Sequence, residues 1–212
     1  MLPAALAAVL IVSSCGGSDE ASTTDESSTV DSAVGSEVVG HYADGVYVSY
    51  AASVESATKM GDDIEAFLDD PTEDTLATAR KAWLTARPDY GVTEAFRFYG
   101  GPIDADDTGP EGRLNAWPMD ESYVDYVEGD PEAGIINDPD EYPTLDTDTL
   151  ASLNEAGGET NVSTGWHAIE FLLWGQDLSE DGPGERAATD YTDAPNADRR
   201  SDASRRHCRR TD

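Results

Sequence analysis

Between residues 37 and 68 the apolar positions fall at Val39, Tyr42, Val46, Tyr50, Val54, Ala57 and Ile64, mostly three or four apart. That period lays them along one side of a helix, so the pattern predicts one long amphipathic helix. Asp69, Asp70 and Pro71 end it. Thr72, with Asp74 and Thr75, then offers a cap for a second helix that carries Leu76, Ala79, Trp83 and Leu84. The short connection makes the two antiparallel. Pro88 and Gly91 interrupt the second helix, because proline has no N–H to donate and disfavours helical geometry at the residue before it. A kink or a restart is expected there. The restarted piece, VTEAFRFYG, would put Glu94 and Arg97 on one face and Phe96 and Tyr99 on another.

From residue 100 to about 143 the periodicity is lost in GGPIDADDTGPEG, NAWPMDESYVDYVEG and NDPDEYPT. A stretch of that length is too long for a passive connector, so short helices near 120–127 and 146–153, or functional loops, are expected. Ile169, Leu172 and Leu173 mark a further helix that runs through Trp174, with Ser163 or Thr164 as its cap and Gly175 as its terminator. The fold class is therefore all-α, an antiparallel helical bundle with long irregular loops.

The two ends read differently from this body. MLPAALAAVLIVSSC, residues 1–15, is an apolar run too short to span a bilayer as a helix, and it reads as an export signal. Small residues before Cys15 resemble the lipobox of bacterial lipoproteins, which implies lipidation at Cys15, a membrane as partner, and an exported, envelope or periplasmic location. No Lys or Arg precedes the run, which departs from the usual signal. Residues 16–36, rich in Ser, Gly and acid, form a tether. Residues 37–198 make the helical domain. Residues 199–212, RRSDASRRHCRRTD, hold six of the thirteen basic residues and read as a basic tail foreign to the domain, with a change of reading frame expected from about Ser201. On that reading His207 and Cys208 are not ligands.

A formal charge of −31, from 44 acidic against 13 basic residues, excludes non-specific binding to nucleic acid, because the phosphate backbone would be repelled. The acid resembles the solvated surface of proteins adapted to high salt. Its functional alternative is cation collection.

Chemistry concentrates in GGETNVSTGWHAIEFLLWGQD, residues 157–177. His167 and Glu170 stand three apart, so imidazole and carboxylate share a helix face and can reach one ion or share one proton. The same spacing fits a histidine and a glutamate that simply satisfy each other inside a bundle. A metal needs more ligands than two, and Glu94, Asp104, Asp120, Glu121, Glu159 and Asp177 are the acids within range of such a role.

GWHAIEFLLWGQD resembles the GxHxxE signature of the imelysin-like family, peptidase M75, carried here by Gly165, His167 and Glu170. The resemblance extends to AWLTARPDYGVTEAFRFYGGPID at 82–104, RLNAWPMDESYVDYV at 113–127 and ETNVST ahead of the signature. It implies the first half of a fold of two helical bundles, since family members are usually longer. It also implies a bacterial envelope location and a divalent or ferric ion, iron or zinc, held by His167 and Glu170. Glu94 and Glu159 are further candidate ligands, with Arg97 as a motif-segment partner, although Glu94 and Arg97 equally fit an ion pair holding two helices together, and components of iron uptake are the implied associates. Two other readings stay open. One is a metallopeptidase, although the signature is neither HExxH nor HxxEH and Phe171 stands where the second histidine of the latter would fall. The other is a non-catalytic envelope interaction module, or an inactive fragment.

Overall fold

The computed structural model describes residues 32–105 and 108–208. Backbone proximity divides the chain into two units, Met1–Val39 and Gly40–Asp212. The described part of the first unit is the opening of helix α1 (Ser32–Asp69), where Ser36 Oγ donates to the carbonyl of Ser32 at 2.9 Å. The expected export signal, Cys15 and residues 16–31 of the expected tether lie outside the described residues. The end of that tether, from Ser32, is helical.

In the second unit α1 gives way to α2 (Glu73–Thr93) across the turn at 70–72. Thr72 caps α2 as the sequence suggests: its side chain accepts from the N–H of Thr75, while the Thr75 hydroxyl accepts from the N–H of Thr72. The expected restart at Pro88 does not occur, since α2 continues through it. Leu76, Ala79, Trp83, Ala86, Tyr90 and Thr93 are all buried, and their three-to-four spacing runs straight through the proline. Pro88 and Leu84, whose carbonyl loses its intrahelical partner, are both exposed, so water can satisfy that carbonyl. A short 3₁₀ turn, Glu94–Phe96, follows in place of a restarted helix.

Short helices α3 (Glu111–Asn115), α4 (Glu121–Val124) and α5 (Thr147–Leu153) punctuate the irregular region. Asp120 and Asp146 cap the last two by accepting from Ser122 and Thr149. Helix α6 (Gly165–Trp174) carries the GxHxxE residues, and α7 (Ala197–Cys208) follows a 3₁₀ turn at Ala188–Tyr191. None of the described helices is long and apolar enough to cross a membrane.

Two apolar clusters meet at α6. One gathers Ile64, Phe67, Leu76, Trp83 and Tyr90 from α1 and α2 around Trp166, Ile169 and Leu173. The other gathers Val124, Ile136, Leu150 and Ala203 around Phe171 and Leu172. Helix α6 is thus buried on nearly every side, which explains why its apolar residues do not form a single stripe. Each large apolar side chain it buries contributes about 1.5–3 kcal/mol.

The basic segment from Arg199 is part of this fold, and the boundary drawn there from the sequence is corrected. Arg199 donates to the carbonyls of Ile136, Ile135 and Tyr142 at 2.7–3.0 Å. Arg200 is 1 % exposed and grips Asp125 by Nε at 2.6 Å and Nη2 at 2.9 Å. Arg205 pairs with Glu65 and Asp69 of α1. The cluster of arginines looks foreign only because its carboxylate and carbonyl partners are scattered far along the chain.

Candidate functional site

The entry of α6 explains the first residue of its motif. Gly165 has φ +86°, a conformation that side-chain-bearing residues rarely adopt. A Cβ there would also lie 2.4 Å from the carbonyl oxygen of Leu114. Glycine is required on both counts, and it lets α6 pack directly on α3. Thr164, at the N-cap position, makes no capping bond to α6; its hydroxyl donates to the Arg113 carbonyl at 2.9 Å, which ties the same two elements together.

The C-terminal end of α6 is equally well held. A helix end leaves four carbonyls without intrahelical partners, and all four are satisfied here. Phe171 O accepts from the Gly175 N–H, and Leu172 O from the Tyr191 hydroxyl at 2.7 Å. Leu173 O accepts from the Arg80 guanidinium, and Trp174 O from the Arg186 N–H at 2.8 Å. The Arg80 cation at this end also matches the partial negative charge of the helix terminus.

With α6 fixed at both ends, its one polar stripe is fixed too. His167, Glu170 and Trp174 are the half-buried positions on the otherwise buried turns, spaced i, i+3 and i+7. His167 Nδ1 and Glu170 Oε2 are 3.3 Å apart, with the histidine side chain 18 % and the glutamate 44 % exposed. The Trp117 ring covers the imidazole at a centroid distance of 4.7 Å. The stripe forms one wall of a cavity of about 400 Å³ that Trp83, Met119, Glu121, Phe171 and Asp177 also line. No arginine or lysine is among its lining residues. Burial pushes the Glu121 carboxyl above its ordinary range, and the negative charges of Asp177 and Asp120 push it the same way, against a hydrogen bond from Gln176 and the positive charge of Arg186.

This donor set suits a cation in type and in sign: one imidazole and three carboxylates, with no arginine or lysine in the cavity wall, although the Arg186 charge reaches Glu121. It does not converge into a closed cage. Among the described residues no three His, Cys, Asp or Glu side chains stand close enough together to hold an ion. The cavity therefore offers a two-point grip, His167 and Glu170, with Glu121 and Asp177 as further carboxylates around it.

The other candidates lie elsewhere. Glu94 is 3.7 Å from both Arg87 and Arg97 and accepts from Asn115 at 3.2 Å. Arg97 pairs with Glu111, which also accepts from the Tyr90 hydroxyl at 2.7 Å. This polar cluster ties the end of α2 to α3, and none of its members lines the His167 cavity. Glu159 is exposed and does not line it either. His207, set aside with the tail, is half-buried in α7 with Nδ1 2.6 Å from the Ala203 carbonyl and Nε2 2.6 Å from the Ser163 carbonyl, just ahead of α6. Burial pulls its pKa below the ordinary histidine value, although both carbonyl contacts act upward.

Sequence reading did not single out the most deeply buried charges in the molecule. Asp125, fully buried, accepts from both Arg186 and Arg200. Burial alone would raise its carboxyl, but the Arg200 hydrogen bond and the two guanidinium charges outweigh that and hold it below the usual range. Nothing local in the sequence marks this trio, since Asp125 and Arg200 are 75 residues apart.

The family model of imelysin, peptidase M75, matches residues 46–210, more than three quarters of the chain and including α7. Iron-regulated protein A of Synechococcus elongatus is 35 % identical over 75 residues, which is 35 % of this chain and 20 % of that protein. The chain thus matches about a fifth of that relative's length. On the match to its family model, the chain belongs to the imelysin family.

Proposed function

We propose that the chain is an iron-related protein of the bacterial envelope that binds a divalent or ferric ion through His167 and Glu170. The observation that carries this reading is the cavity on α6, where an imidazole and three carboxylates face one space and no basic side chain is among the lining residues. A bound cation would add positive charge beside these carboxylates and would lower the Glu121 carboxyl against the burial that raises it. With two converging side chains the ion is held loosely and open to exchange, as suits uptake or delivery better than a structural role. The name of the Synechococcus relative, an iron-regulated protein, points to iron over zinc. Attachment to a membrane through Cys15 belongs to the same reading.

A peptidase is less well supported. Zinc hydrolysis needs three protein ligands beside a general base, and His167 and Glu170 are two.

The test is calorimetric titration of the chain with ferrous, ferric and zinc ions, beside a His167→Ala, Glu170→Ala double variant of unchanged helicity. One saturable site in the wild type that disappears in the variant is expected. Equal binding by both proteins overturns the assignment.

A further inference from the structure

A second cavity, of about 440 Å³, shares the Trp174–Gly175 corner with the first but has different chemistry. Tyr126, Trp174, Leu178, Pro183 and Arg186 line it. The Arg186 side chain is fully buried. Its Nη1 donates to Asp125 Oδ2 at 2.8 Å and stands 3.6 Å from Asp190. Its Nε and Nη2 are buried without any hydrogen-bond partner. Leaving charged donors unmade in the interior is costly, and buried donors are satisfied nearly everywhere in folded proteins.

The two orphaned groups are not a random pair. They share one edge of the guanidinium, the edge that meets both oxygens of a carboxylate with two parallel bonds. Arg200 displays that edge in use, with its Nε and Nη2 on the two oxygens of Asp125. The Tyr126 and Phe171 rings lie 4.8 Å and 5.5 Å from the Arg186 guanidinium carbon, which steadies the charge but supplies no lone pair for the fork.

We propose that the free edge of Arg186 is a carboxylate seat, and that this cavity binds a small organic acid whose apolar body rests on Trp174, Leu178 and Pro183. A carboxylate is favoured over a phosphate because Glu128 and Glu185 also line the cavity, where Arg186 is the sole cation. A doubly charged anion would meet two negative side chains with one positive partner, whereas a carboxylate carries a single charge. The fork is shielded from solvent as it stands, so a ligand reaches it only with a local rearrangement of the cavity wall. Nothing in this proposal depends on a metal at His167.

Trp174 lines the cavity, so its fluorescence reports occupancy. The full chain, stripped of metal over a chelating resin, is titrated at constant ionic strength with cyclohexanecarboxylate, with the uncharged cyclohexanemethanol, and with inorganic phosphate. A saturable change is expected with the carboxylate alone. Arg186→Lys keeps the charge but loses the fork, and is expected to bind at least tenfold more weakly. Leu178→Glu adds negative charge at an exposed position of the same wall and is expected to weaken binding at least threefold without a change in melting temperature. If Arg186→Lys does not fold, Leu178→Glu decides alone. No saturable response in the wild type, equal affinity for acid and alcohol, phosphate binding as tight as carboxylate binding, or unaltered affinity in the folded variants each overturns the proposal. Because the protein is metal-free throughout, failure here leaves the reading of His167 and Glu170 untouched.

Discussion

Replacing Asp125 with asparagine tests whether the arginine-rich end belongs to the fold. The substitution keeps the shape and one acceptor oxygen, but it removes the charge shared by Arg186 and Arg200, whose side chains are 0 % and 1 % exposed. Asp190, 3.6 Å from Arg186 and 19 % exposed, would be the remaining carboxylate at these two cations. Removing one partner of a buried pair costs about 3–5 kcal/mol, because the other charge is left stranded. Two cations depend on Asp125, so the upper part of that range applies. Domains are stable by about 5–15 kcal/mol in total, and in a chain of this size each kcal/mol moves the melting temperature by about 2–4 °C. The expected fall in Asp125→Asn is therefore about 8–20 °C, read by circular dichroism at pH 7 and repeated in urea. The loss should persist in high salt, since buried pairs are little screened. Adding Arg186→Met removes one stranded cation and should recover part of the loss, making the pair non-additive. The carboxyl is held below its ordinary range in the folded chain, so its stabilisation is present above about pH 4 and disappears as pH falls through the folded value. Wild type should lose this contribution on acidification and Asp125→Asn should not. A loss below about 1 kcal/mol, or one that vanishes in molar salt, would refute the reasoning.

Three further outcomes follow from other parts of the molecule. Gly165→Ala puts a Cβ 2.4 Å from the Leu114 carbonyl at a positive φ, and should cost about 3 kcal/mol or more in urea unfolding; a change within experimental error would mean that α3 and α6 separate freely. His207 has its pKa lowered by burial, so the unfolded chain takes up the proton first, and stability should decline as pH drops below about 6.5; His207→Asn should flatten that decline between pH 5 and 7, and an unchanged slope would remove His207 as its source. Pro88→Ala restores a backbone donor within a continuous helix and should raise the melting temperature, by an amount worth up to about 3 kcal/mol; a decrease would show that the helix depends on the proline.

Much of the secondary structure was legible because it depends on neighbours in sequence. The periodicity of Tyr50, Val54, Ala57 and Ile64 marked α1, and Thr72 with Thr75 marked the start of α2. Asp120 and Asp146 stand at the caps of their short helices, and Gly175 terminates α6. Each signal acts within one or two helical turns, which is the range of capping and amphipathic spacing. The resemblance around GWHAIEFLLWGQD likewise led to the imelysin family, whose model covers residues 46–210.

Where tertiary packing outweighed local preference, the sequence misled. Pro88 suggests a restart within α2, yet the buried positions on either side of it hold one continuous helix. The arginines from 199 onward looked like a foreign tail because surface charge runs are usually solvated, whereas here Arg199 and Arg200 are paid out to carbonyls and a carboxylate brought close by folding. Glu94 and Arg97, whose spacing also allowed a plain ion pair between helices, stand 3.7 Å apart in a cluster with Glu111.

The sequence by itself determined where α1 gives way to α2, where α6 ends, and that His167 and Glu170 share a face, since these follow from capping and the 3.6-residue turn. Only the tertiary structure decided that Glu121 and Asp177 face the same cavity, that Asp125 joins two arginines, and that Arg186 keeps one edge free. Those contacts link residues tens of positions apart, and they are selected by how buried surfaces and charges can be satisfied together, a condition that no local spacing expresses.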